Sequence, residues 1–294
     1  MLYEKIEKNK VRCLACAHYC RIAPGNFGIC GTRQNINGKL ISRVYGKVAA
    51  IHIDPIEKKP LFHFLPGTEI LSFGTYGCNF RCPWCQNWEI SQKTKEPKNS
   101  RTGKQNKFNW GEEISPTDII SLAIKSKCPS IAYTYNEPAI FSEFAHDTAE
   151  LAHKRGLKNV YVTNGYLSRE SFEYIRPYLD AANIDLKSMD DKFYQHYCGG
   201  RLQPVIDTIR RLYDAKIHIE LTTLIIPGLN DSDTNLKAIA RFIAGIDKKI
   251  PWHISRFYPA YKLSNLKPTP LQLLKKAQKT GQQIGLENIY IGNV

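Results

Sequence analysis

Three cysteines fall within one short stretch, Gly77-Cys78-Asn79-Phe80-Arg81-Cys82-Pro83-Trp84-Cys85. Their CxxxCxxC spacing lets a single loop present three thiolates to one compact metal centre, and soft thiolate sulfur selects iron-sulfur clusters or zinc. No fourth cysteine is local. Structural sites normally close with four protein ligands, whereas a catalytic site keeps a position open. Three thiolates on a [4Fe-4S] cluster would therefore leave one iron free for something other than protein.

A second group lies upstream, where Cys13, Cys16, Cys20 and Cys30 are interleaved with Gly25, Gly28 and Gly31. Four thiolates with glycines for tight turns suit a closed tetrahedral site able to fold a segment too small for its own core. Zinc fits that description, with an auxiliary iron-sulfur cluster as the rival. His18 is a spare ligand expected to face solvent, and Cys128 and Cys198 read as small buried hydrophobes.

Seven of the nine cysteines belong to these two groups, which indicates a reducing compartment, expected to be the cytoplasm, rather than a disulfide framework. The N-terminus Met-Leu-Tyr-Glu-Lys-Ile-Glu-Lys has no signal-peptide core, and no apolar run approaches the roughly 18 residues of a membrane span. A net charge of +14 could suit a polyanion, but the lysines are scattered and their densest region, 93–107, reads as a polar loop. Nucleic acid is therefore unsupported as a partner, and a zinc-dependent nucleic-acid-binding module is the non-enzymatic alternative.

The elements that must position these cysteines alternate. At 294 residues the chain could form one large α/β barrel or two modest domains. The pattern predicts strands over 69–74, 130–135, 159–163, 181–186, 217–226 and 252–257. Helices are predicted between them over 116–127, 139–155, 168–174, 204–214 and 234–244. Six βα units imply a partial (β/α)6 barrel of TIM type, with its chemistry at the strand C-terminal ends. The expected division is a Cys-rich metal-binding segment over 1–45, an extended connector over 46–67, the barrel over 68–260 and a C-terminal extension over 261–294.

Polar motifs follow the predicted strands. Tyr135-Asn136-Glu137-Pro138 puts a carboxylate at a strand end, where it could accept hydrogen bonds from an ammonium group. Thr163-Asn164-Gly165 and Asp185-Leu186-Lys187 follow the next two strands, Pro227-Gly228-Leu229-Asn230-Asp231 the fifth, and the sixth carries His253 and Arg256.

The cysteine loop, with aromatic Trp84 before its last cysteine, resembles the CxxxCxΦC motif of the radical SAM superfamily. That resemblance implies a [4Fe-4S] cluster on Cys78, Cys82 and Cys85, whose open iron is chelated by S-adenosylmethionine (SAM). It implies reductive cleavage of SAM to methionine and a 5'-deoxyadenosyl radical that abstracts hydrogen from a substrate. It also implies an electron donor of flavodoxin or ferredoxin type.

The strand-end motifs resemble the glycyl-radical-enzyme activating branch. By that likeness Asn136 and Glu137 stand where a GGE motif holds the SAM amino group, with Tyr135 and Asn136 in place of the glycines. Thr163, Asn164, Asp185 and Lys187 become candidate cofactor contacts; Trp84 in the cysteine loop and, from its own place on the sixth strand, His253 or Arg256 facing the cavity are further candidates. Thr163, Asn183 and Asp185 become neighbours of a monovalent cation, although Val162 stands where the activases carry an acid. With Cys-x-x-Cys-Ala-His-Tyr-Cys, Glu-Lys-Lys-Pro-Leu-Phe-His-Phe and the closing Tyr-Ile-Gly-Asn-Val, the chain resembles the radical SAM enzymes of the AmmeMemoRadiSam system. The implied target is a protein glycine, with a small molecule or peptide as the alternative.

Overall fold

A computed structural model of the chain describes residues 2–95 and 109–294. Most of the 93–107 loop expected from the lysine density lies outside the described residues.

The centre is one eight-stranded sheet whose strands stand in chain order. They are β1 (Ala50–Pro55), β2 (Glu69–Gly74), β3 (Ser130–Tyr133), β4 (Lys158–Thr163), β5 (Ala181–Asp185), β6 (His218–Ile225), β7 (Trp252–Arg256) and β8 (Ile289–Gly292). From β2 to β8 every neighbouring pair is parallel, while β1 runs antiparallel to β2. The ladder leaves β1 and β8 as separate edges, so the barrel is open. Strands β2 and β3 carry continuous buried runs such as Ile70-Leu71-Ser72-Phe73, as parallel strands covered on both faces require.

Helices α1 (Pro116–Lys125), α2 (Ser142–Lys154), α3 (Arg169–Ile175), α4 (Leu202–Asp214), α5 (Asp233–Ala244) and α6 (Leu271–Ile284) connect successive strands from β2 onward. Helix α1 starts on a capping box in which the Ser115 hydroxyl accepts from the Asp118 N–H at 3.2 Å and the Asp118 carboxylate accepts from the Ser115 N–H at 3.1 Å. Helix α4 buries Val205, Ile206, Ile209 and Leu212 along one face.

Two stretches differ from the sequence reading. Residues 46–67, expected as a connector, supply β1, whose six residues pair with β2 from Ala50 opposite Gly74 to Pro55 opposite Glu69. Residues 261–294, expected as a tail over one side, form α6 and β8 and so add a seventh parallel strand.

The N-terminal segment folds as a three-stranded antiparallel sheet (Tyr3–Lys5, Val11–Cys13, Arg21–Ile22) and a hairpin (Arg33–Ile36 with Lys39–Ser42). Contrary to the expectation of a segment without a core, Leu2, Val11, Ala15, Ile22 and Leu40 pack into a small one around Cys13. Arg33 fastens it to the barrel: its guanidinium forms a two-pronged ion pair with Glu143 of α2, and its Nε donates to the Ile140 carbonyl at 3.0 Å. Burial pushes the Glu143 carboxyl up, but Arg33 outweighs it and holds the group below its ordinary value.

Candidate functional site

The cysteine loop leaves β2 and is held in shape by backbone. Gly77 has φ +90°, and a Cβ there would lie 2.4 Å from the Thr32 methyl and 2.7 Å from the Cys30 carbonyl, so only glycine lets the N-terminal segment pack this close. The Gly77 N–H donates to the Ile90 carbonyl at 2.8 Å, and Gln92 Nε2 donates to the Phe80 carbonyl at 3.1 Å. These bonds fold the loop back on a short helix, Trp88–Ser91.

Cys78, Cys82 and Cys85 are free thiols that line one cavity of about 410 Å³. The Phe80 N–H points at Cys78 Sγ from 3.4 Å, and the Ser91 hydroxyl lies 3.2 Å from Cys85 Sγ. Burial pushes the Cys78 thiol up to about 12. Cys82 is raised well above an ordinary thiol by its hydrogen bond to Cys198 and by burial. Cys198, read from the sequence as an isolated hydrophobe, thus touches the cysteine loop. Trp84 is buried against Phe193 and Tyr197, with ring centroids 5.4 Å and 6.1 Å away.

The strand ends supply the other walls. Asn136 donates from Nδ2 to the Thr75 hydroxyl and the Gly77 carbonyl at 3.0 Å and 2.9 Å, tying the β3 end to the cysteine loop. Tyr135 before it sits at φ +65°, a conformation that favours glycine. It is held there by Lys59 Nζ, 4.8 Å over its ring, and by its hydroxyl donating to Asp54 at 3.3 Å. Asn164 Nδ2 donates to Asn79 Oδ1 at 2.7 Å and lies 3.9 Å from Cys78 Sγ. Lys187 Nζ pairs with Asp185 at 2.7 Å. Burial would lower Lys187, but Asp185 and the Cys82 and Cys198 thiols outweigh it and keep the ammonium charged.

Two predicted contacts are placed elsewhere. Glu137 is 0 % exposed and is not on the cavity wall. Its carboxylate accepts from the Thr163 hydroxyl at 2.8 Å, the Asn164 N–H at 2.8 Å and the Ala139 N–H at 3.1 Å, so it fixes the Thr163-Asn164 turn from behind. Burial pushes its pKa up to about 7 against these donors.

His253 is likewise buried away from the cavity, 2.6 Å from Glu220 Oε2. It shares the inward face of β7 with Ser255, but two residues earlier, so Ser255 reaches the cavity and His253 the closed end. Arg256 is turned to the Thr269 carbonyl, 2.9 Å away. Asn183 accepts from the Thr222 hydroxyl at 2.9 Å and donates to the Pro60 carbonyl at 2.8 Å.

Sequence reasoning missed Lys58 and Lys59 on the cavity wall and Glu220 below it. Glu220 accepts from the Phe62 and His63 N–H groups at 3.0 Å and 2.8 Å, and so holds the Pro60–His63 stretch across the closed end. A glutamate between Ile219 and Leu221 in an apolar strand was the available signal.

Among the upstream cysteines, burial raises Cys13, Cys16 and Cys20, neighbouring cysteines add to the rise, and Arg33 opposes it at Cys13. His18 is half-buried: its Nε2 is 2.9 Å from the Asn79 carbonyl and its ring is 4.7 Å from Tyr166. Among the described residues no three His, Cys, Asp or Glu side chains converge as they would on a single ion. A [4Fe-4S] cluster asks for something else, since each thiolate takes a different iron. Three free sulfurs spread round one cavity and approached by N–H and O–H donors fit that donor set.

The Radical SAM superfamily profile matches residues 73–242, from the end of β2 into α5. The chain belongs to the radical SAM superfamily. It is 43 % identical over its whole length to an uncharacterised protein of Methanocaldococcus jannaschii, of which it covers 84 %. It is 21 % identical to the pyruvate formate-lyase-activating enzyme of Clostridium pasteurianum, over 73 % of this chain and 90 % of that one. Its fold is similar to a radical SAM methyltransferase structure from Sphaerobacter thermophilus, with a TM-score of 0.59 at 12 % identity over 79 % of this chain and 68 % of that one. The protein is an enzyme of radical chemistry, which overturns the reading as a zinc-dependent nucleic-acid-binding module, and its superfamily implies a [4Fe-4S] cluster and SAM. No helix among the described residues is long and apolar enough to cross a membrane.

Proposed function

We propose that Cys78, Cys82 and Cys85 hold the [4Fe-4S] cluster and that the cavity beside them receives SAM. When bound, the cluster and SAM supply one-electron cleavage to methionine and a 5'-deoxyadenosyl radical that takes hydrogen from the substrate. The protein's part is placement. Asp185 holds the Lys187 ammonium on the wall, where it can meet the SAM carboxylate. Asn136 and Asn164 fix the cysteine loop against the strand ends, and Trp84 keeps water from its back. Glu137 acts one layer out by orienting Thr163 and Asn164. The carrying observation is that three free cysteines and the Asp185–Lys187 pair line the same 410 Å³ cavity at the strand C-terminal ends.

A protein glycine is the target we favour, on the strength of the activating-enzyme relative and the strand-end motifs; modification of a small molecule or peptide is the second reading. The N-terminal and closing motifs support placement in the AmmeMemoRadiSam system, and free thiols throughout support a cytoplasmic setting with a flavodoxin or ferredoxin donor. We assign 1–45 as a metal-binding unit that takes, at Cys13, Cys16, Cys20 and Cys30, zinc, for which the four sulfurs would have to draw together on one ion, or an auxiliary cluster. A monovalent cation is placed near Thr163, Asn183 and Asp185.

Anaerobically reconstituted protein is expected to contain iron and sulfide and, with dithionite and SAM, to release 5'-deoxyadenosine measurable by chromatography. An intact cluster that yields none overturns the reading. Iron and zinc counts on wild type and Cys82→Ala identify the second metal, and a glycyl EPR signal on a co-purified partner selects the protein target.

A further inference from the structure

The cysteine loop has a second, outward face. Behind it lies another cavity, of about 440 Å³, bounded by the N-terminal segment through His18 and Ile29, by Tyr166 after β4 and by the turn Gly199-Gly200-Arg201 before α4. Among the described residues no acidic side chain lines it, whereas Arg81, Lys95 and Arg201 all do. Among the same residues Lys95 donates to neutral oxygens, the Phe80 carbonyl at 2.6 Å and Gln92 Oε1 at 3.3 Å. Arg81 lies over Gly199, where a Cβ would come within 2.9 Å of its Nε, and reaches the Gln195 carbonyl at 3.4 Å. Arg201 has an acid nearby, Asp191 at 3.7 Å, but that carboxylate is also taken by the Leu202 N–H at 2.8 Å.

Two further features have the same sign. Arg201 is the residue from which α4 starts, a helix of 13 residues with no acid of its own in its first turn, so its start lies at the cavity although Asp191 takes the first N–H. Asn79, 1 % exposed, is also on the wall. Its Oδ1 accepts from Asn164, on the SAM side of the loop, while its Nδ2 is buried without a partner. A buried amide donor with nothing to donate to, beside three cations and, among the described residues, no lining carboxylate, describes a site lacking its acceptor.

We propose that this cavity binds a small oxyanion, a phosphate or carboxylate group, between Arg81, Lys95, Arg201 and the Asn79 amide. It is separate from the SAM cavity and does not depend on the radical reaction, so it can be tested without reductant.

Full-length protein as isolated is dialysed to equilibrium against labelled inorganic phosphate at fixed ionic strength, with acetate as a competing arm. Saturable binding is expected, weakened at least about tenfold by Arg81→Ala or Arg201→Ala and unchanged by Lys154→Ala on the outer face of α2. Lys95→Gln gives an independent test should either arginine variant fail to fold. Displacement by acetate at similar concentration identifies a carboxylate site, and resistance to it a phosphate site. No saturable binding of either anion, undiminished binding in the Arg81→Ala/Arg201→Ala variant, or displacement by SAM overturns the proposal.

Discussion

Two glutamates, Glu137 and Glu220, are equally excluded from water, each 0 % exposed, yet they are driven in opposite directions. Burial opposes the charge on both. At Glu220 the donors win: His218 and His253 at 3.0 Å and 2.6 Å, with the Phe62 and His63 N–H groups, hold it down to about 2. At Glu137 a hydroxyl and two N–H groups do not suffice, Asp185 adds repulsion, and the group rises to about 7. The difference separates the two ends of the open barrel. The closed end satisfies its charge with partners of its own. The open end leaves its polar groups underserved beside the cavity, as sites that await other molecules do.

The largest expected effect at the open end is functional. Cys82→Ala should reduce 5'-deoxyadenosine formation to background, well beyond about 10³-fold since the cofactor carries the hard chemistry, while the urea-unfolding midpoint of cluster-free protein stays near that of cluster-free wild type. A collapse of that midpoint would erase the division between the two ends.

At the closed end the largest effect is on stability. Glu220→Ala leaves two histidines and two N–H groups without their acceptor and should cost about 3–5 kcal/mol in urea unfolding, the range for breaking a buried pair. An effect below about 1 kcal/mol would show that the Pro60–His63 stretch is held by apolar packing alone.

The pH dependence gives opposite signs for the two carboxyls. Glu220 is depressed from 4.5 to about 2, so it contributes about 3 kcal/mol of stability above pH 4.5, lost as pH falls from 4.5 to 2. Glu137 is raised from 4.5 to about 7, so the folded state binds its proton more tightly and stability declines as pH rises from 4.5 to 7. Unfolding across pH 4–8 should lose that decline in Glu137→Gln and keep it in Glu220→Gln. The same slope in both variants would assign it to another group.

How much of this was readable in advance follows from what each residue does. The cysteine loop was legible because spacing and residue type alone define a thiolate donor set. Strands such as Lys158–Thr163 were legible because their buried runs are continuous. Helix α6 and β8 were not. Gly281 sits inside α6 because a Cβ there would come within 2.6 Å of Ile289 and 3.1 Å of Trp252, so packing supplied a residue that reads as a helix breaker. Strand β8 is only half-buried, and β1 ends on Pro55, so its prolines read as a connector although an edge strand tolerates one there. For His253, expected to face the cavity, depth along β7 decides between cavity and closed end, and that depth is set by neighbouring strands and not by its own sequence.

The smallest expected effect is also the most discriminating. Thr163 donates to Glu137 at 2.8 Å and accepts from the Gly165 N–H at 3.0 Å. Thr163→Val keeps the volume and removes both bonds, which should cost about 1–2 kcal/mol. With one donor fewer, Glu137 should hold its proton to higher pH, so the decline in unfolding free energy should extend above 7 by an amount set by that single hydroxyl. Glu220, which has no contact with Thr163, should keep its acid transition unchanged. If the Glu137 window instead stays fixed, burial alone governs that group, and the contrast between the two ends would rest on depth and not on the number of partners.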